Sequence, residues 1–258
     1  MGIWNLRNFF DYEELAKSIT KYQFEFARKE PFHNVIIDDF VDSRLLKKAI
    51  VPIKNPTKYF QWNYNNTFEV KHAFNDMVRM PSLLAMLLRE LNSNPFVEYL
   101  EKITRIPNLI PDPKLRGGGL HFISKGGKLD VHQDFLAHPD LRLKRKINLI
   151  LYLNEEWQDS WNGCLELWDK DMTKAVKKIS PIFNRAVIFD TERNNHGHAD
   201  KLKTPDNVFR SSMALYYYVQ PSEDEKLEYR STFYQRRPQD EYNEETEKLR
   251  QLRAKGRI

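Results

Sequence analysis

The sequence predicts an α+β fold, with mainly helical residues 1–114 followed by an antiparallel jelly roll or sandwich from Leu115 onward. Three observations predict it. Apolar residues in the first part recur at helical spacing, as in Leu15, Ile19, Tyr22 and Phe26. In the second part, short β-branched and aromatic runs alternate with turn signals, a rhythm that suits a sandwich or jelly roll better than a parallel sheet. The 258 residues, 41% hydrophobic and 13% aromatic, suffice for one sizeable core.

Taken in order, Tyr12 to Arg28 reads as a helix, and Pro31 then breaks the chain. Val35-Ile36-Ile37 reads as a short buried strand, and Asp42 caps a helix through Leu45, Leu46 and Ile50. Lys58 to Phe68 is rich in aromatics and amides without a period. It reads either as a surface loop or as a lid over a site. Pro81 to Ile106 is helical, with a leucine stripe (Leu83, Leu84, Leu87, Leu88, Leu91) and an interruption at Asn94-Pro95. Ile147 to Leu153, Cys164 to Trp168, Ala186 to Phe189 and Ser212 to Val219 read as strands, punctuated by turns such as Gly126-Gly127 and Asn162-Gly163. Residues 221–258 form a charged tail. From Arg236 it carries five acids and seven bases, and it reads as an exposed helix without a role. Repeats and linkers are lacking, so the expectation is one domain, with residues 115–220 as its core.

Composition narrows the function. No stretch approaches ~18 apolar residues, so no membrane-spanning helix is expected. Met1 to Leu6 lacks the features of a secretory signal or a myristoylation site. Cys164 is the only cysteine, which excludes an internal disulfide and fits a reducing, cytoplasmic setting; the thiol itself reads as buried and inert. The net charge of +5 comes from 41 basic and 36 acidic residues interleaved along the chain. That pattern describes a solvated surface rather than a nucleic-acid-binding face. A dimer through the N-terminal helices remains open.

Seven histidines occur, and the informative group starts at His132-Gln133-Asp134. Residues two apart on a strand share a face, so an imidazole and a carboxylate stand side by side. A second imidazole lies some 60 residues on, in His196-Gly197-His198, just after the strand Ala186 to Phe189. Spacing alone does not choose between His196 and His198. Two imidazoles and one carboxylate on one face of a cation leave further positions open, the arrangement of non-haem iron oxygenases. Arg210 starts a buried aromatic strand, where a guanidinium is costly without an anionic partner, and its fork matches a carboxylate. His138 reads as a loop residue, and His121 as core or pocket wall. Arg142, Lys144, Arg145 and Lys146 read as a solvated loop, or else as an attractor for an acidic substrate.

The stretch Gly118 to Val219 resembles the 2-oxoglutarate/iron(II)-dependent dioxygenase superfamily, in its prolyl 4-hydroxylase-like branch. The pieces that carry the resemblance are Gly127–Asp134, Leu151–Trp157, Asn162–Trp168, Pro181–Phe189, His196-Gly197-His198 and Arg210-Ser211-Ser212, in that order. It covers the C-terminal half, with a weaker echo at Pro31 to Phe40. Two positions depart from the pattern: Asn162 stands where a glycine is usual, and Arg210 where collagen-type members have Lys.

The resemblance implies a double-stranded β-helix (jelly roll) core with the N-terminal helices packed on one sheet. It implies iron ligation by His132, Asp134 and His196, the His-Gly pattern favouring His196 over His198. It further implies that Arg210 and Ser212 hold the far carboxylate of 2-oxoglutarate, with Tyr152 donating beside it and Leu165 walling the pocket. The cofactors implied are Fe(II), 2-oxoglutarate and O2, with ascorbate as an accessory reductant. Asp134 supplies a carboxylate where halogenases of the superfamily have a small residue, which favours hydroxylation. The substrate expected first is a prolyl residue in a protein or peptide. A free amino acid or other small metabolite is the alternative, and a non-catalytic jelly-roll binding protein the second alternative.

Overall fold

The computed structural model describes residues 8–255; the reading made of Met1 to Leu6 lies outside the described residues. Helix α1 (Tyr12–Ala27) is capped by Asp11, whose carboxylate accepts from the backbone N–H groups of Glu13 and Glu14. Strand β1 (Asn34–Ile37) follows, then α2 (Ser43–Ile50), capped by Asp42 as the sequence predicts. Lys58 to Phe68 is ordered differently from a loop. Trp62–Asn65 forms β2, an exposed strand paired with β3 (Glu69–Phe74), and Asn66 closes the turn by accepting from the N–H groups of Phe68 and Glu69. The long helical stretch divides into α3 (Ser82–Leu91) and α4 (Asn94–Thr104), with Pro95 in the first turn of α4, where its missing N–H costs nothing.

A short β4 (Ile110–Pro111) leads to β5 (Gly119–Ile123), β6 (Lys128–Gln133), β7 (Lys144–Tyr152) and β8 (Leu165–Trp168). Then come β9 (Ala175–Ile179), β10 (Ala186–Asp190), β11 (His196–His198), β12 (Arg210–Val219), β13 (Phe233–Tyr234) and α5 (Glu244–Ala254). The strands make one curled antiparallel sheet in the order β1-β10-β7-β12-β5-β3-β6-β11-β8-β9, with β2 on β3, β4 on β12 and β13 on β6. Strand β3 is the bend. Its end from His72 to Phe74 pairs with β5, while Glu69 and Val70 pair with β6, so one sheet curls into a jelly-roll half-barrel.

Alternation along β7 and β12 divides core from cavity. Ile147, Leu149, Leu151, Met213, Leu215 and Tyr217 join α1–α4 in the main core, which places the helices on one face of the sheet as expected. Asn148, Ile150, Ser212, Ala214 and Tyr216 point the other way and line a cavity inside the curl. Leu84, Leu87, Leu88 and Leu91 of α3 are wholly buried, each worth roughly 1.5–3 kcal/mol of burial. Among the described residues, no helix is long and apolar enough to cross a membrane.

Candidate active site

Antiparallel pairing of β6 with β11 sets His132 directly across from His196, and Asp134 follows the end of β6. Ligand atoms of His132, Asp134 and His196 all lie within 4.8 Å of one another, and all three side chains are buried. Nε2 of His132 is 3.5 Å from Oδ1 of Asp134, and Nε2 of His196 is 3.8 Å from Oδ2. Nδ1 of His132 lies 2.8 Å from the Asp130 carbonyl, and Nδ1 of His196 lies 3.2 Å from that of Asn194. A carbonyl only accepts, so each Nδ1 carries the hydrogen and each Nε2 turns a lone pair toward the centre. Burial, then the neighbouring His132, holds His196 down to about 4, so it is neutral near pH 7. The close approach of β6 and β11 requires Gly197, because a Cβ there would sit 2.8 Å from the Asp130 carbonyl oxygen.

Asp134 has a second partner that the sequence reading missed. Arg145 Nη1 lies 3.1 Å from Asp134 Oδ2, and the guanidinium is sandwiched between the rings of Phe135 and Tyr216. Burial alone would raise the Asp134 carboxyl; Arg145, followed by the two imidazoles, holds it far below the usual carboxylate range. The solvated-loop reading of residues 142–146 therefore fails at Lys144, Arg145 and Lys146, which begin strand β7. Arg145 is inward and buried, while Lys144 and Lys146 pair with Glu192. Alternation alone would set Arg145 on the helix-packed face with Ile147; the register shift between Tyr217 and Tyr218, which aligns Arg145 with Tyr218, turns it to the cavity instead.

Arg210 is buried at the start of β12, as its position predicts. Its Nε donates to the Gly163 carbonyl (2.7 Å) and its Nη2 to the Tyr152 hydroxyl (3.3 Å). Gly163 has φ +79°, and a Cβ there would meet Arg210 at 3.1 Å and Leu202 at 2.6 Å, so only glycine fits beside this guanidinium. No carboxylate of the described residues pairs with Arg210, and burial lowers its pKa. Ser212, Leu165 and Arg210 line the same cavity as His132, Asp134 and His196, while Tyr152 touches Arg210 from behind that lining.

The cavity holds about 410 Å³. His198 and His121 also line it, and His121 is pushed down to about 3 by burial and then by Lys71 and Arg210. Trp62 and Tyr64 of the β2–β3 hairpin stand at its wall, so this hairpin reaches the site. So do Thr232, Tyr234 and Arg253: the charged tail, given no role by its composition, adds β13 to β6 and sets Tyr234 across from His132. His138 lies outside the strands, as a loop residue, yet is fully buried, 3.6 Å from Asp112. Cys164 is half-buried just before β8, 3.7 Å from the Ser180 hydroxyl, rather than inside a strand.

Residues 118–224 match the family model of the 2OG-Fe(II) oxygenase superfamily. Over those residues the chain is similar to the 2OG-Fe(II) oxygenases. His132, Asp134, Tyr152, Leu165, His196, Arg210 and Ser212 all lie within the matched span, whereas Trp62, Tyr64, Thr232, Tyr234 and Arg253 of the cavity wall lie outside it. Iron(II), 2-oxoglutarate and O2 are the superfamily's cofactors. The donor set fits the metal, with two imidazole nitrogens and one carboxylate converging in a buried pocket, and the uncompensated Arg210 fits the diacid. Mouse prolyl 3-hydroxylase OGFOD1 is 24% identical over 195 residues, 72% of this chain and 31% of that relative, so the chain spans about a third of its length. Among solved structures, the Trichoplax adhaerens prolyl hydroxylase in complex with a hypoxia inducible factor peptide fragment aligns with TM-score 0.58 and 16% identity. That alignment covers 83% of this chain and 94% of that one. A Pseudomonas putida prolyl-4-hydroxylase gives TM-score 0.58 at 14% identity, over 79% and 100% of the two chains. The fold is that of the prolyl hydroxylases.

Proposed function

We propose that this domain is a hydroxylase that uses iron(II), 2-oxoglutarate and O2 to oxidise an unactivated C–H bond, with a prolyl residue of a protein or peptide as substrate. One observation carries the reading: His132, Asp134 and His196 converge in a cavity that also holds Arg210, a buried guanidinium with no carboxylate partner among the described residues. The mouse relative named a prolyl 3-hydroxylase, and neighbours in fold that are prolyl hydroxylases, support the substrate class.

His132, Asp134 and His196 would hold the iron from one side, leaving its remaining positions for ligands. Once bound, iron and 2-oxoglutarate would supply the oxidising equivalent: O2 gives one oxygen atom to succinate, with loss of CO2, and the other to the substrate carbon. The protein's own residues do the remaining work. Arg210, steadied by Gly163 and Tyr152, offers its fork to the far carboxylate with Ser212 beside it. Leu165 and Ile150 wall the cosubstrate's methylenes, and Phe135 and Tyr216 keep water from Arg145 and Asp134. The lone Cys164 supports a reducing, cytoplasmic setting.

The test is an anaerobic titration with iron(II) and 2-oxoglutarate, read by the weak visible charge-transfer band. Wild type should develop the band and His132→Ala should not; equal spectra would end the iron assignment. Turnover with prolyl peptides should then couple succinate release to a product one oxygen heavier. Coupling to small molecules alone would move the substrate to free amino acids or other metabolites. Absence of both iron uptake and turnover would leave a non-catalytic binding protein.

A further inference from the structure

His198 is a buried polar side chain of the cavity that the site described above does not use. It is 4% exposed, it lines the cavity, and neither Nδ1 nor Nε2 has a hydrogen-bond partner among the described residues. A neutral imidazole always carries one donor and one acceptor, and burying both unpaired is costly unless a ligand completes them. His198 is separate from the metal-binding group. A register shift between His196 and His198 sets it opposite Leu129 instead of in line with His132, and its ring nitrogens stand outside the cluster of three.

Its surroundings indicate what completes it. Arg210 and Lys71 line the same cavity as His198, so the cations nearest to hand make it a place for an anion. Lys71 is committed to Glu69 at 3.0 Å. Arg210 already gives Nε to Gly163 and one Nη2 contact to Tyr152. A carboxylate brings two oxygens and about four acceptor sites, more than the rest of this guanidinium fills. We infer that His198 donates a hydrogen bond to the carboxylate held by Arg210, making it a second anchor for the far end of 2-oxoglutarate. This rests on the reading of the cavity as a 2-oxoglutarate site. His198 is thus a binding residue that sets selectivity for a diacid over a 2-oxo monoacid, two residues past a metal ligand but with a different task.

The test compares wild type, His198→Leu and His198→Gln, loaded anaerobically with iron(II). Each is titrated with 2-oxoglutarate and with 2-oxopentanoate, which lacks the far carboxylate, and the charge-transfer band gives the affinity. His198→Leu should weaken 2-oxoglutarate by about tenfold or more, the worth of one charge-assisted hydrogen bond. Its affinity for 2-oxopentanoate and for iron(II) alone should match wild type, and His198→Gln should recover part of the loss. If His198→Leu does not give the wild-type melting curve, His198→Ala is read in the same way. Unchanged 2-oxoglutarate affinity, or an equal loss for both oxo acids, overturns the inference while leaving the function standing. A wild type that binds iron(II) but develops no band with either oxo acid overturns both.

Discussion

Arg145 Nη1 lies 3.1 Å from Oδ2 of Asp134, and its guanidinium is clamped 3.5 Å from the Phe135 ring centroid and 3.6 Å from that of Tyr216. The pair gives the two carboxylate oxygens different neighbours: Oδ1 faces His132, while Oδ2 faces Arg145 and His196. Arg145 is therefore a positioning residue, acting through Asp134. Replacing it leaves a buried carboxylate short of its cation, and breaking such a pair typically costs ~3–5 kcal/mol. Arg145→Met should lose about that much in metal-free urea denaturation. Saturating Mn(II) should narrow the gap by supplying the missing positive charge. Equal metal-free stability of Arg145→Met and wild type would contradict this account.

Arg210 shows the opposite balance. Its guanidinium is buried against Tyr152 and Gly163 without a carboxylate partner among the described residues, so the ligand-free protein bears an uncompensated desolvation cost. Arg210→Met should be as stable as wild type, or more so, without ligand. It should lose the stabilisation that 2-oxoglutarate gives the metal-loaded wild type, about 2.7 kcal/mol at a hundredfold excess over Kd. Melting curves with and without the diacid check both halves. A variant that kept the ligand-induced shift would remove Arg210 from the subsite.

Much of this arrangement was legible in the chain because local spacing and tertiary position agree there. His132 and Asp134 are two apart at the end of a strand, so alternation alone sets them on one face, and Arg210 opens a buried strand, where a guanidinium calls for an anion. The leucine stripe of α3 and the Asp42 cap are local signals that the fold keeps. Arg145 was hidden because a run of four basic residues looks solvated. Only the β7–β12 pairing, which aligns Arg145 with Tyr218, shows that its strand has already begun. Spacing left the choice between His196 and His198 open; the His-Gly resemblance favoured His196, and the physical reason is the register of β6 against β11, a contact between segments 64 residues apart. The hairpin at Trp62 and the role of the tail escaped for the same reason: their hydrogen-bond partners lie elsewhere in the chain.

Tyr234 tests the tail. It is 2% exposed, stacks on Phe68 with ring centroids 4.6 Å apart, and lies 5.7 Å from the His132 ring. Its strand closes the open edge of β6 beside the first imidazole. Tyr234→Ala should cost roughly 3–5 kcal/mol of stability, the usual range for a buried aromatic. It should also weaken Mn(II) binding, because the His132 ring loses a packed neighbour. Calorimetry and a metal titration check the two effects. A stability loss below ~0.5 kcal/mol would mean that the tail merely lies against the domain.

Glu192 gives a prediction in pH. It lies 3.0 Å from Lys144 Nζ and 2.8 Å from Lys146 Nζ, the two lysines that flank Arg145. Burial would raise its carboxyl, but Lys146 and Lys144 outweigh that and bring it from 4.5 down to about 2. A carboxylate depressed by folding adds stability that is complete above its unfolded value and is lost as pH falls through the folded one. The window is therefore from about 4.5 down to about 2. Its side chain is 39% exposed, so solvent screening holds the contribution to below about 1 kcal/mol. Glu192→Gln should be less stable than wild type by that small margin at pH 7 and low salt. The difference should shrink below pH 4.5, vanish near pH 2 and fall with added salt. Denaturation midpoints across this range decide it, since a margin independent of pH would assign the effect to packing instead of charge.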